Sequence, residues 1–362
     1  MSGHITAHEV ALRLGTDEEP FILDVRDRDE VASWSIPGAV NIPLGELAAR
    51  RTEIPVDEEV VVVCASGGRS ARATQELSSA GWDVVDLTGG MQEWANVYDT
   101  AETTAGAATI VQVRRRGKGC LSYLVGTGGE AYVVDPSVDL DRYLQLARAR
   151  GWAITRVLDT HLHADHLSGA RGLAAATGAS LHLNPEDAFD FDFVALTDGD
   201  AFRLPGGTAV AVVALPTPGH TTGSTMYLVG DEAVLSGDTL FVDGVGRPDL
   251  ADRAQEFAAD LYRSLQDRVL TLPDETLVLP GHYGEQVVVR PHQVVGAPLG
   301  QLRTSLAPLA LPEDEFITWA TERTTPRPPN YAEIVLANMG RCDRPIADLV
   351  SLELGPNRCA AS

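Results

Sequence analysis

Along the first hundred residues, short apolar runs alternate with stretches whose apolar positions recur every three or four residues. Phe21-Ile-Leu-Asp-Val25 and Val60-Val-Val-Val63 are compact runs of the kind that fill a parallel sheet covered on both faces. Arg69 to Ala80 carries helical spacing and stops at Gly81, a favourable residue just past a helix end. The apolar pattern resumes from Trp82 to Leu87 as a further strand. This rhythm predicts a small α/β domain with a parallel sheet over residues 1–99.

Thr100-Ala-Glu-Thr-Thr-Ala-Gly-Ala-Ala108 has small side chains and no apolar period, which predicts a linker over 100–108. A second block, 109–300, opens with strands at Ala107 to Val113, Cys120 to Val125 and Ala131 to Val134. A helix over Leu140 to Arg150 precedes a strand ending at Val157-Leu158. Later strands, Thr208 to Leu215, Thr225 to Val229 and Ala233 to Leu235, each end near a histidine or an aspartate. Beyond Pro298 the chain becomes rich in proline and leucine, and 301–362 predicts a helical extension of this domain. No internal repeat is present.

Composition narrows the classes of function. The 362 residues suffice for two or three domains with proper cores, and 44% hydrophobic with 22% charged residues is ordinary for globular protein. A formal charge of −23 argues against nucleic acid and anionic membrane surfaces, which both need a basic footprint. No run approaches the ~18 apolar residues of a membrane helix, and the first residues lack the pattern of a secretory signal. Cys64, Cys120, Cys342 and Cys359 are widely spaced, without a CxxC pair. That suits reduced thiols in a cytoplasm, and Cys120, Cys342 and Cys359 read as packing residues.

The chemistry is concentrated in His161-Leu-His-Ala-Asp-His166, which follows Val157-Leu158 directly. Pro218-Gly-His220, Ser236-Gly-Asp238 and Pro280-Gly-His282 come later, each in a glycine-containing turn. Five of the nine histidines belong to this set. Imidazole and carboxylate together are ligands of first-row transition metals, so the chain reads as a metal enzyme.

The ordered set HxHxDH, His, Asp, His resembles the metallo-β-lactamase superfamily over roughly Ala107 to Pro298. The resemblance implies an αββα sandwich with the metal site at one edge. Flavodiiron members place Glu where this chain has His163, so that branch does not fit. Thr160-His-Leu-His-Ala-Asp-His-Leu-Ser-Gly169, Ser236-Gly-Asp-Thr-Leu240, Gly246-Arg-Pro-Asp249, Thr271-Leu-Pro-Asp274 and Asn338-Met-Gly-Arg-Cys342 look like the persulfide dioxygenases within it. That similarity implies one Fe(II) per chain on His161, His220 and Asp238, a face that leaves three positions open for substrate sulfur and O₂. His163, Asp165, His166 and His282 would then orient the ligands and shape the cavity. In glyoxalase II relatives these four positions help to hold a second metal, so the metal count stays open, with zinc as the alternative ion. The resemblance also implies that Arg247 contacts a carboxylate of the thiol carrier, at even weight with a structural salt bridge. Tyr283 follows His282 directly, where the family often reads His-Asp-Tyr, so its role stays open.

Cys64-Ala-Ser-Gly-Gly-Arg69-Ser70 lies between an apolar strand and a helix. Such a loop can aim backbone N–H groups at the sulfur, with the helix N-terminus and Arg69 adding positive potential, and so favour thiolate. CxxGxRS, with Leu23-Asp-Val-Arg26, Ile36-Pro-Gly-Ala-Val-Asn41 and Gly89-Gly-Met-Gln-Glu-Trp94, resembles rhodanese domains over residues 1 to 100. Ser35 departs from the His that many rhodaneses carry there.

The joint expectation is a fusion that oxidises a low-molecular-weight persulfide, such as glutathione persulfide, with O₂ and water to sulfite and thiol. Its N-terminal domain would exchange sulfur among thiosulfate, sulfite and thiols through a Cys64 persulfide. The partners are small molecules, with no nucleic acid or membrane, and a homo-oligomer is left open. One alternative is a glyoxalase II-like thioester hydrolase with two metals. The other is a sulfur-carrier or sensing module without turnover.

Overall fold

The computed structural model describes every residue except 1–2, 206–209, 250–252, 285, 324–326, 328–329, 346–347, 356–358 and 362. Its N-terminal part is a parallel sheet in the order Gly3–Ile5, Val84–Leu87, Val60–Val63, Phe21–Asp24, Val40–Asn41. Val60–Val63 is central and wholly buried because both sheet faces are covered. Successive side chains of a strand point to opposite faces. Val61 and Val63 accordingly join Val10, Ala11, Met91 and Trp94 on one side, while Val60 and Val62 join Leu47, Ala73 and Leu77 on the other. Burying each such side chain contributes roughly 1.5–3 kcal/mol. The helix expected from Arg69 spans Gly68–Ser79, entered through Gly67 in the left-handed region at φ +102°.

The second part is a sandwich. One sheet runs Val194–Ala195, Ser180–Leu183, Ala153–Leu158, Glu130–Val134, Cys120–Thr127, Ala108–Arg115, Tyr98–Ala105. The other runs Ala201–Leu204, Val210–Pro216, Thr225–Val229, Ala233–Gly237, Leu277–Pro280, Ala297–Pro298. Their facing sides share one core, in which Ile110, Tyr123, Val134 and Leu158 meet Val212, Tyr227, Leu235 and Leu279. Helices Leu140–Ala149 and Ala170–Thr177 cover the outside of the first sheet, and Ala254–Ser264 with Glu313–Glu322 the outside of the second. The order helix, sheet, sheet, helix is the expected αββα architecture. Of the strand expected from Thr208, residues 208 and 209 lie outside the described residues.

One expectation is corrected and another is extended. The presumed linker is an edge strand: Tyr98–Ala105 pairs antiparallel with Ala108–Arg115 along its whole length. Its inward positions include Ala101 and Ala105, and side chains that small leave little alternation to read. The C-terminal extension is helical over Leu299–Ser305, Glu313–Glu322 and Tyr331–Asn338. It then adds a strand, Ala360–Ala361, antiparallel to Val245–Gly246, which carries Cys359 to the edge of the sandwich where the histidines lie. The two parts meet where Trp34 Nε1 donates to the Gly117 carbonyl at 2.8 Å and Arg115 Nε to the Ala95 carbonyl at 2.9 Å. Among the described residues, no helix is long and apolar enough to cross a membrane.

Candidate metal centre and cysteine loop

The strand Ala153–Leu158 ends where its ladder stops, and the next residues deliver Thr160 and His161. The strands Val210–Pro216, Ala233–Gly237 and Leu277–Pro280 likewise end two to four residues before His220, Asp238 and His282 or at their doorstep. Four distant segments therefore converge at one edge of the sandwich. His161 Nε2 and His220 Nε2 lie 3.7 Å and 3.4 Å from Asp238 Oδ2. All three atoms are buried, and none has a hydrogen-bond partner among the described residues. Leaving three polar atoms so placed would cost several kcal/mol in total, at roughly 1–3 kcal/mol each, unless a cation joins them. The residues fit a metal ion.

Each ligand is oriented from behind. Thr160 Oγ1 donates to Asp135 Oδ2 at 2.9 Å, and so accepts from His161 Nδ1 at 2.8 Å. His220 Nδ1 donates to the Arg247 carbonyl at 3.0 Å. Both rings thereby present unprotonated Nε2 inward. Burial, reinforced by His163, holds the His161 pKa well below the usual histidine range, so the ring stays neutral. Burial would raise Asp238, but His282 and His161 hold it well below the ordinary carboxylate range. Gly237 turns the chain at φ +51°, and a Cβ there would stand 2.7 Å from the Thr160 side chain.

The four expected outer groups fall into two places. His163 Nε2 meets Asp135 Oδ1 at 3.1 Å, with Asp159 Oδ1 at 4.0 Å. Asp165, His166 and His282 instead gather around Cys120, a residue read from sequence as packing. Cys359, read the same way, joins Asp238 and His282. Neither cysteine belongs to a hydrophobic cluster of the described residues, whereas Cys64 does, and none of the four is in a disulfide.

Asp135 and Glu353 position the site without belonging to any sequence motif above, and Asn338, in the motif Asn338-Met-Gly-Arg-Cys342, takes a positioning role that the motif alone does not give. Asp135 also accepts from the Thr160 N–H at 2.6 Å and sits at φ +53°. Its signal was a carboxylate directly after the apolar run Ala131–Val134. Asn338 donates to the carbonyls of His163 and His166 at 2.9 Å and 2.8 Å and accepts from the Ser168 N–H at 2.9 Å. Glu353 accepts from the Leu167 N–H and pairs with buried Arg115. The Arg247 guanidinium is buried against Asp249 at 2.7 and 2.8 Å, the salt-bridge reading of that residue. Tyr283 is buried, its hydroxyl pKa pushed up to about 12 chiefly by that burial. With Trp34, Trp94, Arg116, Lys118 and Val288 it lines a cavity of about 270 Å³ between the two parts of the molecule.

In the N-terminal part, Cys64 Sγ accepts from the Gly67 N–H at 3.2 Å and lies 3.3 Å from Ser70 Oγ. Burial raises the thiol pKa, but hydrogen bonds from Ser70, Ser66 and Gly67 outweigh it and hold it below the ordinary range. Arg69 does not reach the sulfur with a hydrogen bond. Its guanidinium binds Glu30 in a two-pronged pair at 2.6 and 2.7 Å.

The model of the metallo-beta-lactamase superfamily matches residues 115–282, and that of the rhodanese-like domain residues 6–97. A hydroxyacylglutathione hydrolase of Acidiphilium cryptum is 41% identical over 163 residues, 44% of this chain and 63% of that protein. The chain spans about three-fifths of the length of such hydrolases. The mitochondrial persulfide dioxygenase ETHE1 of Bos taurus is 29% identical over 246 residues, 66% of this chain and 91% of that protein. The crystal structure of ETHE1 from Myxococcus xanthus shares 30% identity at a TM-score of 0.56, covering 68% of this chain and 100% of that one.

Proposed function

The chain belongs to the metallo-beta-lactamase superfamily and carries a rhodanese-like domain ahead of it, and on that premise we propose that it is a persulfide dioxygenase joined to a sulfurtransferase. The reaction proposed is RSSH + O₂ + H₂O → RSH + SO₃²⁻ + 2 H⁺, with glutathione persulfide as the model substrate. The observation that carries it is the face of two imidazole nitrogens and one carboxylate oxygen, buried and without hydrogen bonds among the described residues. His161, His220 and Asp238 would hold one iron, which when bound supplies the redox chemistry that O₂ requires. Thr160 and the Arg247 carbonyl keep the two rings in the donor tautomer. Asn338 and Glu353 hold the loop 161–167 in register. The near-complete coverage of the ETHE1 chains supports this reading over the hydrolase reading.

At Cys64 the proposed step is a displacement. The thiolate attacks the outer sulfur of thiosulfate, the new S–S bond forms, the old one breaks, and sulfite leaves. The N–H of Gly67 and the hydroxyl of Ser70 would stabilise the anion before and after. The chemistry requires Cys64 to remain a thiol, which fits a reducing compartment such as cytoplasm.

A second reading, thioester hydrolysis at two metals, draws on the 41% identity to a hydroxyacylglutathione hydrolase and on the cluster of Asp165, His166 and His282. An oxygen electrode with parallel metal analysis separates the two. Iron-dependent O₂ uptake on persulfide, with sulfite formed in step, is expected. Hydrolysis of a glutathione thioester at ~1 to 10³ s⁻¹ without O₂ uptake would replace the proposal.

A further inference from the structure

Asp187 is a buried carboxylate that belongs to none of the motifs above. It stands four residues past the strand Ser180–Leu183. Its Oδ2 accepts from the Leu162 N–H at 2.8 Å and from the Thr221 hydroxyl at 3.0 Å. Its Oδ1 accepts from the Gly223 N–H at 2.8 Å, with the Thr222 hydroxyl at 3.3 Å. Leu162 directly follows His161, and Thr221 directly follows His220.

The two loops so joined belong to opposite sheets. His161 follows Ala153–Leu158 of the first sheet, whereas His220 lies between Val210–Pro216 and Thr225–Val229 of the second. One side chain therefore spans the sandwich beside both imidazoles. The approach is close, because a Cβ on Gly223 would stand 2.5 Å from Asp187 Cγ. Residue type matters as well. Both oxygens face N–H or O–H groups, and an ionised carboxylate offers acceptor sites alone. Burial raises the pKa of Asp187, while these donors pull it down. An amide of the same shape would turn its NH₂ towards about half of the donors.

We infer that Asp187 is a positioning residue of the metal centre: it braces the His161 loop against the His220 loop and so sets the spacing of the two imidazole nitrogens beside Asp238 Oδ2. Those nitrogens stand 3.7 Å and 3.4 Å from that oxygen. Metal–nitrogen bonds of about 2.0–2.1 Å leave little room for the loops to part. The inference rests on the metal position of the proposed function, but not on which reaction that position serves.

Cobalt binding tests it without reference to turnover. The full-length protein, stripped by a chelator under anaerobic reducing conditions, is titrated with Co²⁺ and followed by visible absorption, whose bands report ligand geometry. The ion concerned is the one lost in His220→Ala. Asp187→Asn should bind it ~10-fold or more weakly and with shifted bands, while circular dichroism of the metal-free protein is unchanged. Thr221→Val removes one donor at a partly exposed position and should weaken the same ion about two- to tenfold. A role in folding alone would lower the melting temperature of the metal-free protein and leave affinity and bands as they are. That result in Asp187→Asn overturns the inference. Should Asp187→Asn fail to fold, unchanged affinity and bands in Thr221→Val overturn it. O₂ uptake is read separately on iron-loaded protein. Cobalt binding as expected, with no O₂ uptake on persulfide, would end the dioxygenase reading and leave the brace standing.

Discussion

The two candidate sites solve the problem of holding a reactive group in opposite ways. Around Cys64, residues 64 to 70 of one segment supply the partners, and two of the groups on the sulfur are backbone N–H or a neighbouring hydroxyl. The metal centre draws on segments between Cys120 and Cys359, and it is made of side chains. A loop of seven residues can be right as soon as its strand and helix form. A centre built from several distant segments is right only when both sheets and the C-terminal helices are in place. The first should tolerate damage elsewhere, and the second should not.

The largest effect that tests this contrast comes from Cys64→Ser, which keeps the shape and removes the nucleophile. Thiosulfate-to-acceptor transfer should fall to background while O₂ uptake on supplied persulfide stays unchanged. Loss of both activities would mean that sulfur reaches the metal only through Cys64, and the sites would form one path. His220→Ala should do the reverse. Bound iron and O₂ uptake should drop by at least about 100-fold, exceeding the effects of outer groups, with sulfur transfer intact; metal analysis and the two assays check it. Asn338→Ala probes dependence on distant segments. It removes the donor to the His163 and His166 carbonyls, at roughly 1–3 kcal/mol for the unsatisfied groups. About a tenfold loss of iron affinity is expected, and none in sulfur transfer.

The smallest effect concerns Glu30. The hydrogen bonds from Arg69 lower its pKa to about 2 against the opposing effect of burial. A carboxylate lowered on folding stabilises the native state above its unfolded value near 4.5, and this contribution fades as pH falls from there towards 2. The pair is partly exposed, so the gain is about 1 kcal/mol or less. Glu30→Gln should remove that part of the acid dependence of N-terminal unfolding, followed by circular dichroism, and leave iron content unchanged.

The same contrast explains what the chain disclosed in advance. The CxxGxRS loop and the HxHxDH run are local, so spacing and residue type already pointed to them. The sandwich was legible through its apolar strands and through the family resemblance. Asn338 opens a family-like motif, but that motif does not record its contact with His163, 175 residues away, and no local pattern marks Glu353, which acts 186 residues from Leu167. Cys120 read as packing because its polar neighbours arrive from 45 and more residues away. Arg69 is a similar case: its charge acts on Cys64 as its place in the loop suggested, while its hydrogen bonds go to Glu30, 39 residues upstream. The edge strand Tyr98–Ala105 was missed because its buried positions include alanines that barely stand out from their neighbours.

The Glu353 carboxylate, which clasps the Leu167 N–H and Arg115, also sets a schedule for making the protein. The N-terminal sheet is complete in the chain by Leu87, whereas this clasp must wait for residue 353. At ~5–20 residues per second of synthesis, that separation is on the order of ten seconds or more. During that interval the nascent chain would carry a finished cysteine loop ahead of an unfinished metal pocket. Cys64 would be in place before His161, His220 and Asp238 are gathered, and the order of assembly would match the order of the two sites along the chain.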